Sequence, residues 1–171
     1  MNLRLTAMAV SLAALSACVF VPQNIDITMF ARRAPSPAQP SFLQTITYID
    51  DGLRYVDPSN AFFIAGDGRM CFRGAYTLSQ TIFDSLYKTD WCLFPTAINQ
   101  VELVPDIVTG KYQLQLSCKH AAGRCVEEVG SLRRQAALVT LPIIPPQQEK
   151  AAIEHLVYLM GGDLGDSHPF R

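Results

Sequence analysis

An α+β fold is the class this sequence predicts, and three observations predict it. A stripe of apolar residues at helical spacing stands near each end of the chain, at Phe42, Ile46, Ile49, Leu53 and at Ile153, Leu156, Val157, Met160. Between them the period changes to two, most cleanly in 111–118, where Tyr112, Leu114, Leu116 and Cys118 alternate with Lys111, Gln113, Gln115 and Ser117. An Asp-Gly step at 67–68 sits between two short strand-like runs, the strongest short-range hairpin signal. Helix, six or seven short antiparallel strands and helix therefore follow in order, a sheet flanked by an N-terminal and a C-terminal helix.

The first element is outside that fold. Arg4 and the amino terminus precede an uncharged apolar run, 5–15, of eleven residues. A transmembrane helix needs roughly 20 apolar residues, whereas this is the length of an export-signal core. The run ends Leu15-Ser16-Ala17-Cys18, which resembles the lipobox of bacterial lipoproteins at all four positions. That resemblance implies cleavage before Cys18, a diacylglycerol on its sulfur and a further acyl chain on its new amino group. Val19, where Asp would favour inner-membrane retention, implies the outer membrane. The alternative is an ordinary secreted protein cut after Ser16, with Ala14 and Ser16 as the small pair.

Removing seventeen of 171 residues leaves 154, and the one Arg lost with no acid takes the formal charge from −1 to −2. That is one domain plus a tether. A near-neutral body without a basic cluster gives no footprint for nucleic acid. Residues 18–40 read as the tether, because Pro35, Pro37 and Pro40 discourage helix and central strand alike. Fully extended it would reach about 80 Å. Phe20, Ile25, Ile27, Met29 and Phe30 are apolar for a linker, so part of 25–30 is also readable as an edge strand or as a segment that docks on a partner.

The globular domain is expected over 41–162. Ser41 stands three residues before Gln44, the spacing of a capping box, and opens a helix over 41–55 that Asp57-Pro58-Ser59-Asn60 ends. Strand-like runs follow at 62–65, 70–73, 75–87 and 91–94, then a helical turn at 96–100 and strands at 101–104 and 111–118. Residues 125–129 are expected to pair back against 111–118, and 136–144 make the last strand. Pro145 and Pro146 suit the first turn of a helix, and Gly161-Gly162 supplies its stop. That helix should bury its stripe on the sheet, and 163–171 form a flexible tail. A terminal helix after the last strand is similar in element order to the pleckstrin-homology barrel or sandwich, an analogy that carries no function.

Cys18 is assigned by the lipobox, which leaves Cys71, Cys92, Cys118 and Cys125, an even set that an oxidising compartment would pair. Three pairings exist. Cys118 with Cys125 is preferred, since they flank a turn-like segment, and Cys71 with Cys92 then follows. Loop closure over separations of 7 and 21 residues is worth about 2.4 and 3.3 kcal/mol in the chain-entropy model.

Sites of chemistry are few. Cys118, His120 and Cys125 are three soft ligands in eight residues, but a closed zinc site needs four, commonly spaced C-x₂₋₄-C, so disulfide is preferred over metal and no cofactor is expected. There is no Gly-x-Ser-x-Gly, and the other histidines, His155 and His168, fall beside the last stripe and in the tail. Glu127 and Glu128 should face opposite ways on a strand, and Asp50-Asp51 should lie on the solvated side of the first helix. Gly66-Asp67-Gly68 reads as a turn, and Gly161 to Asp166 misses the calcium-binding repeat spacing. The aromatics Phe62, Phe63, Phe72, Tyr76, Phe83, Tyr87, Trp91 and Phe94 read mainly as core.

The function expected is that of a lipid-anchored envelope protein, facing the periplasm from the outer membrane and working as a non-enzymatic binding or assembly module with an envelope protein partner. The alternatives are an envelope hydrolase or metal enzyme using His120, and a structural subunit of a secretion or envelope complex.

Overall fold

Ser41 does what its spacing predicts. Its hydroxyl accepts from Gln44 N at 3.3 Å while Gln44 Oε1 accepts from Ser41 N at 2.8 Å, and the helix α1, Phe42–Val56, begins there. In the computed structural model, the described residues are 26–75, 90–105, 112–119, 125–129, 135–136, 138–142 and 146–165. The remaining elements are β1 (Ala61–Ile64), β2 (Met70–Arg73), β3 (Asp90–Leu93), β4 (Ile98–Pro105), β5 (Tyr112–Cys118), β6 (Val126–Val129), β7 (Gln135–Ala136), β8 (Leu138–Pro142) and α2 (Pro146–Leu159). Short 3₁₀ turns stand at Ile27–Phe30 and Pro95–Ala97. The fold is α+β.

The strands of the described residues form two open antiparallel sheets. One has five strands in the order β1-β2-β3-β6-β7, the other three in the order β4-β5-β8. The chain changes sheet at Pro95–Ala97, where Pro at the first position turns it out of β3 and into β4. It changes again between Ala136 and Leu138, so the run read as one strand, 136–144, divides between β7 and β8. The partner expected for 125–129 is likewise corrected: β6 pairs with β3, with Trp91 opposite Glu128 and Leu93 opposite Val126, and not with β5.

The hairpin around Gly66-Asp67-Gly68 forms as its sequence suggests. Ala65 N donates to Arg69 O, Gly68 N donates to Ala65 O, and Gly68 takes φ +85°, a conformation that glycine adopts without cost. Along β5, Leu114, Leu116 and Cys118 are buried while Tyr112 is exposed. Phe62, Phe72 and Trp91 are core, Phe94 is exposed, and Tyr76, Phe83 and Tyr87 lie outside the described residues with the rest of the run 75–87 beyond Ala75.

The cysteines sit at bonding distance in two pairs, Cys71 with Cys92 at 2.03 Å and Cys118 with Cys125 at 2.08 Å. Cys71 and Cys92 are directly opposite on β2 and β3, inside one sheet. Cys118 ends β5 and Cys125 precedes β6, so the second bridge joins strands of different sheets that share no ladder. The two helices pack on each other, α1 against β1 and α2 against β4 and β5. Ile49, Leu53, Leu93, Leu114, Ile153 and Leu156 meet in one buried cluster.

Candidate functional site

The segment read as a tether is part of the domain from Ile27 onward. Asp26 caps the 3₁₀ turn by accepting from Thr28 N, and Phe30 packs on the core. The backbone N–H groups of Arg32 and Arg33 both donate to Leu159 O, at 2.8 and 3.0 Å. The Arg33 guanidinium lies 4.5 Å from the Tyr158 ring centre and donates to Gly162 O. These contacts finish α2. Its own stop satisfies two carbonyls, since Gly162 N donates to Val157 O and Gly161 N, at φ +88°, to Tyr158 O. Leu159 O, one residue further, is satisfied by the arriving strand of chain, and the Arg33 cation stands at the negative end of the helix dipole.

Past Arg33 the strap turns at 36–39, where Gln39 N donates to Ser36 O and Ser36 N donates to Gln39 Oε1. It then forms one wall of a groove of about 750 Å³ whose other walls are α1 and α2. Gln44, Thr45 and Tyr48 face it from α1, Gln148, Ala151, Ala152 and His155 from α2, and 37–40 from the strap. The lining carries no carboxylate, ammonium or guanidinium, and the size is that of a small-ligand site.

Three contacts tie the walls together: Pro40 with His155, Tyr48 with Gln148 and, outside the lining itself, Gly52 with Glu149. His155 is 1% exposed and its Nε2 lies 3.0 Å from Pro40 O. A carbonyl only accepts, so Nε2 carries the proton. Between the helices the Tyr48 hydroxyl donates to Gln148 Oε1 at 3.0 Å. Next to these lining residues a methyl on Gly52 would stand 1.8 Å from Glu149 Oε1, so the absence of a side chain is what lets the carboxyl in.

Glu149 is buried, with its Oε2 lacking a hydrogen-bond partner among the described residues. Burial pushes its carboxyl up from 4.5 to about 8, so at neutral pH it is mostly protonated. Burial also raises the Tyr48 phenol, with the Glu149 charge adding to the effect. Glu154 is raised by burial against the opposing pull of Lys150.

Of the sites read in the sequence, the bridge cysteines are placed as above, while Cys18, His120 and His168 lie outside the described residues. Asp50 is not simply solvated. Its Oδ1 accepts from Phe62 N at 2.8 Å and its Oδ2 from Arg54 Nε, so it ties α1 to β1, while Asp51 is exposed. Glu127 accepts from Arg69 across the sheet. Among the described residues no three His, Cys, Asp or Glu side chains converge on a point where a metal ion would sit. The groove itself was missed. The sequence carries two signals of the helix contact beside it: a glycine inside a predicted helix, Gly52, and an acid, Glu149, one turn ahead of Ile153 on an apolar stripe. Comparison with known proteins found no match to any family model, curated protein or solved structure.

Proposed function

We propose that the chain is a lipid-anchored envelope protein whose domain works as a non-enzymatic binding or assembly module, with the groove between α1 and α2 as its ligand site. The observation that carries this reading is the groove: about 750 Å³, uncharged, with amide, hydroxyl and imidazole groups over a floor of Ala151 and Ala152. Its lining suits a neutral ligand, since a charged one would leave water for a surface with nothing to pair with it. Two disulfides fit an exported protein, and the lipobox supplies the anchor at Cys18. In this proposal the domain faces the periplasm from the outer membrane and meets an envelope protein partner there, with no nucleic acid involved.

Two measurements test it. Intact mass of natively expressed protein is expected to show cleavage before Cys18, added acyl mass and four missing thiol hydrogens. A photo-cross-linking residue at Gln44, inside the groove, is expected to give adducts in living cells that the same residue at Tyr55, 77% exposed at the far end of α1, does not. Equal labelling at both positions, or none at Gln44, ends the groove assignment.

A further inference from the structure

We propose that one face of the domain, carried by Met29, Phe94 and Arg32, rests on the phospholipid surface to which the chain is anchored; this rests on lipid attachment at Cys18. Asp26 is eight residues beyond Cys18, so the point where the chain joins the fold is held within about 28 Å of the acylated sulfur even at full extension. Two of the exposed apolar side chains of the described residues stand near that point. Met29, in the first 3₁₀ turn, is 69% exposed and Phe94, just before Pro95–Ala97, is 47% exposed. They belong to one region. The Phe30 ring next to Met29 lies over the β1–β2 turn, 2.9 Å from where a methyl on Gly68 would be, and Phe30, Arg32 and Phe94 line the same small cavity of about 90 Å³.

The charges there suit a headgroup layer. Arg32 is exposed and makes no ion pair among the described residues, with its stem lying against Gly161. The neighbouring acids are engaged: Asp26 accepts from the Thr28 amide and hydroxyl, and Asp67 pairs with Arg69. A guanidinium without an ion pair among the described residues, in the same region as two exposed apolar side chains, is the pairing that an interface of phosphate over hydrocarbon recognises. Two such side chains would not hold a protein on a membrane by themselves. They have no need to, because a leash this short presents them to the bilayer at about millimolar local concentration, and a weak contact then sets orientation.

The test separates this face from the anchor chemistry. The chain from Cys18, with its four other cysteines oxidised, is coupled through the Cys18 thiol to a maleimide lipid in phosphatidylethanolamine vesicles containing phosphatidylglycerol and a nitroxide headgroup lipid. This supplies the anchor whether or not native acylation occurs. Backbone amides of Met29, Phe30 and Phe94 are expected to lose intensity before those of Tyr55 and Tyr112, two exposed aromatics elsewhere. Met29→Ser with Phe94→Ser, both at exposed positions, is expected to abolish the difference, and Tyr55→Ser to leave it. Uniform loss over the surface, loss centred on Tyr55 or Tyr112, or no change in the double variant overturns the proposal. Absence of acyl mass in the native protein would instead overturn the reading of Cys18.

Discussion

The two helices are fifteen and fourteen residues long and lie antiparallel against each other, but their ends and faces are satisfied by different parts of the chain. At the start of α1 both capping bonds run between Ser41 and Gln44, three residues apart, and its apolar stripe leaves a wet opposite face. At the end of α2 a carbonyl, a ring and a glycine oxygen are met by residues 32–33, more than a hundred positions away. Its flanks bury Glu149, Glu154 and His155 besides the apolar stripe. A helix with local determinants can be read from a short window of sequence. A helix with distant ones forms only when the fold brings its partners.

The sharpest way to break this comparison is at Glu149, one of the points where the two helices touch. Its folded-state carboxyl titrates near 8 and its unfolded one near 4.5, so between those values the folded chain holds more protons. Stability is therefore full below the lower value and falls as pH rises, by about 1.4 kcal/mol per unit and about 5 kcal/mol across the window. Glu149→Gln is expected to remove that slope and to stabilise the protein at pH 7 by about 3 kcal/mol. Urea midpoints of both proteins from pH 4 to pH 9 check it. Parallel curves would show that the carboxyl ionises without leaving its site.

Gly162→Ala ranks next. A methyl there would lie 2.4 Å from Val157 Cγ1 and 2.7 Å from the Pro95 carbonyl oxygen, both parts of the packed core or its backbone. Overpacking of this kind costs about 3 kcal/mol. Gly161→Ala is the smaller companion, since its neighbour is the movable Arg32 stem and the main penalty is φ +88°, about 1 to 2 kcal/mol. Thermal unfolding that ranks the two in the opposite order would place the close packing at the wrong glycine.

Local signals explain how much was legible in the sequence. The α1 cap, the turn at 66–68 and the inward side of β5 each depend on residues within about one turn or one hairpin of each other, and each was read correctly in kind. Sheet membership was not, because a strand's pattern says which face is buried and nothing about which strand lies beside it. The Cys118–Cys125 pairing shows the distinction. The bridge is present, but the reason given for it, a paired hairpin, is absent, since it ties β5 to a strand in the other sheet. Residues 35–40 read as leash because of their prolines, while the apolar residues of 25–30 left a second reading open. The strap's attachment combines Ile27 and Phe30 packed on the core with two backbone N–H groups, one guanidinium and the Pro40 carbonyl, and the polar contacts leave no periodic trace.

Arg33 tests that attachment directly. Arg33→Ala removes a bond to Gly162 O, a cation over Tyr158 and a positive charge at the helix end, together about 1 to 2 kcal/mol at low salt. Amides of residues 158–162 are expected to exchange faster with solvent, and the groove wall at 37–40 to loosen with them. Arg33→Lys keeps the charge but not the planar fork, so it should recover only part. Exchange confined to the strap, with the end of α2 unchanged, would mean that the backbone bonds to Leu159 O cap the helix without the side chain.

The smallest expected effect isolates the local helix. Ser41→Ala loses one capping acceptor and costs about 1 kcal/mol. Ser41→Asp keeps an acceptor at the same place and adds a charge at the positive helix end, so it should restore stability. Gln44→Ala removes the reciprocal bond, and because the two bonds hold one another's geometry the double variant should cost less than the sum of the singles. Ser41→Ala combined with Arg33→Ala should instead be additive within a few tenths of a kcal/mol, since they share no bond and act at caps of different helices. Coupling between those two would mean that the strap carries strain from one helix end to the other, and that the local helix is less independent than its capping box implies.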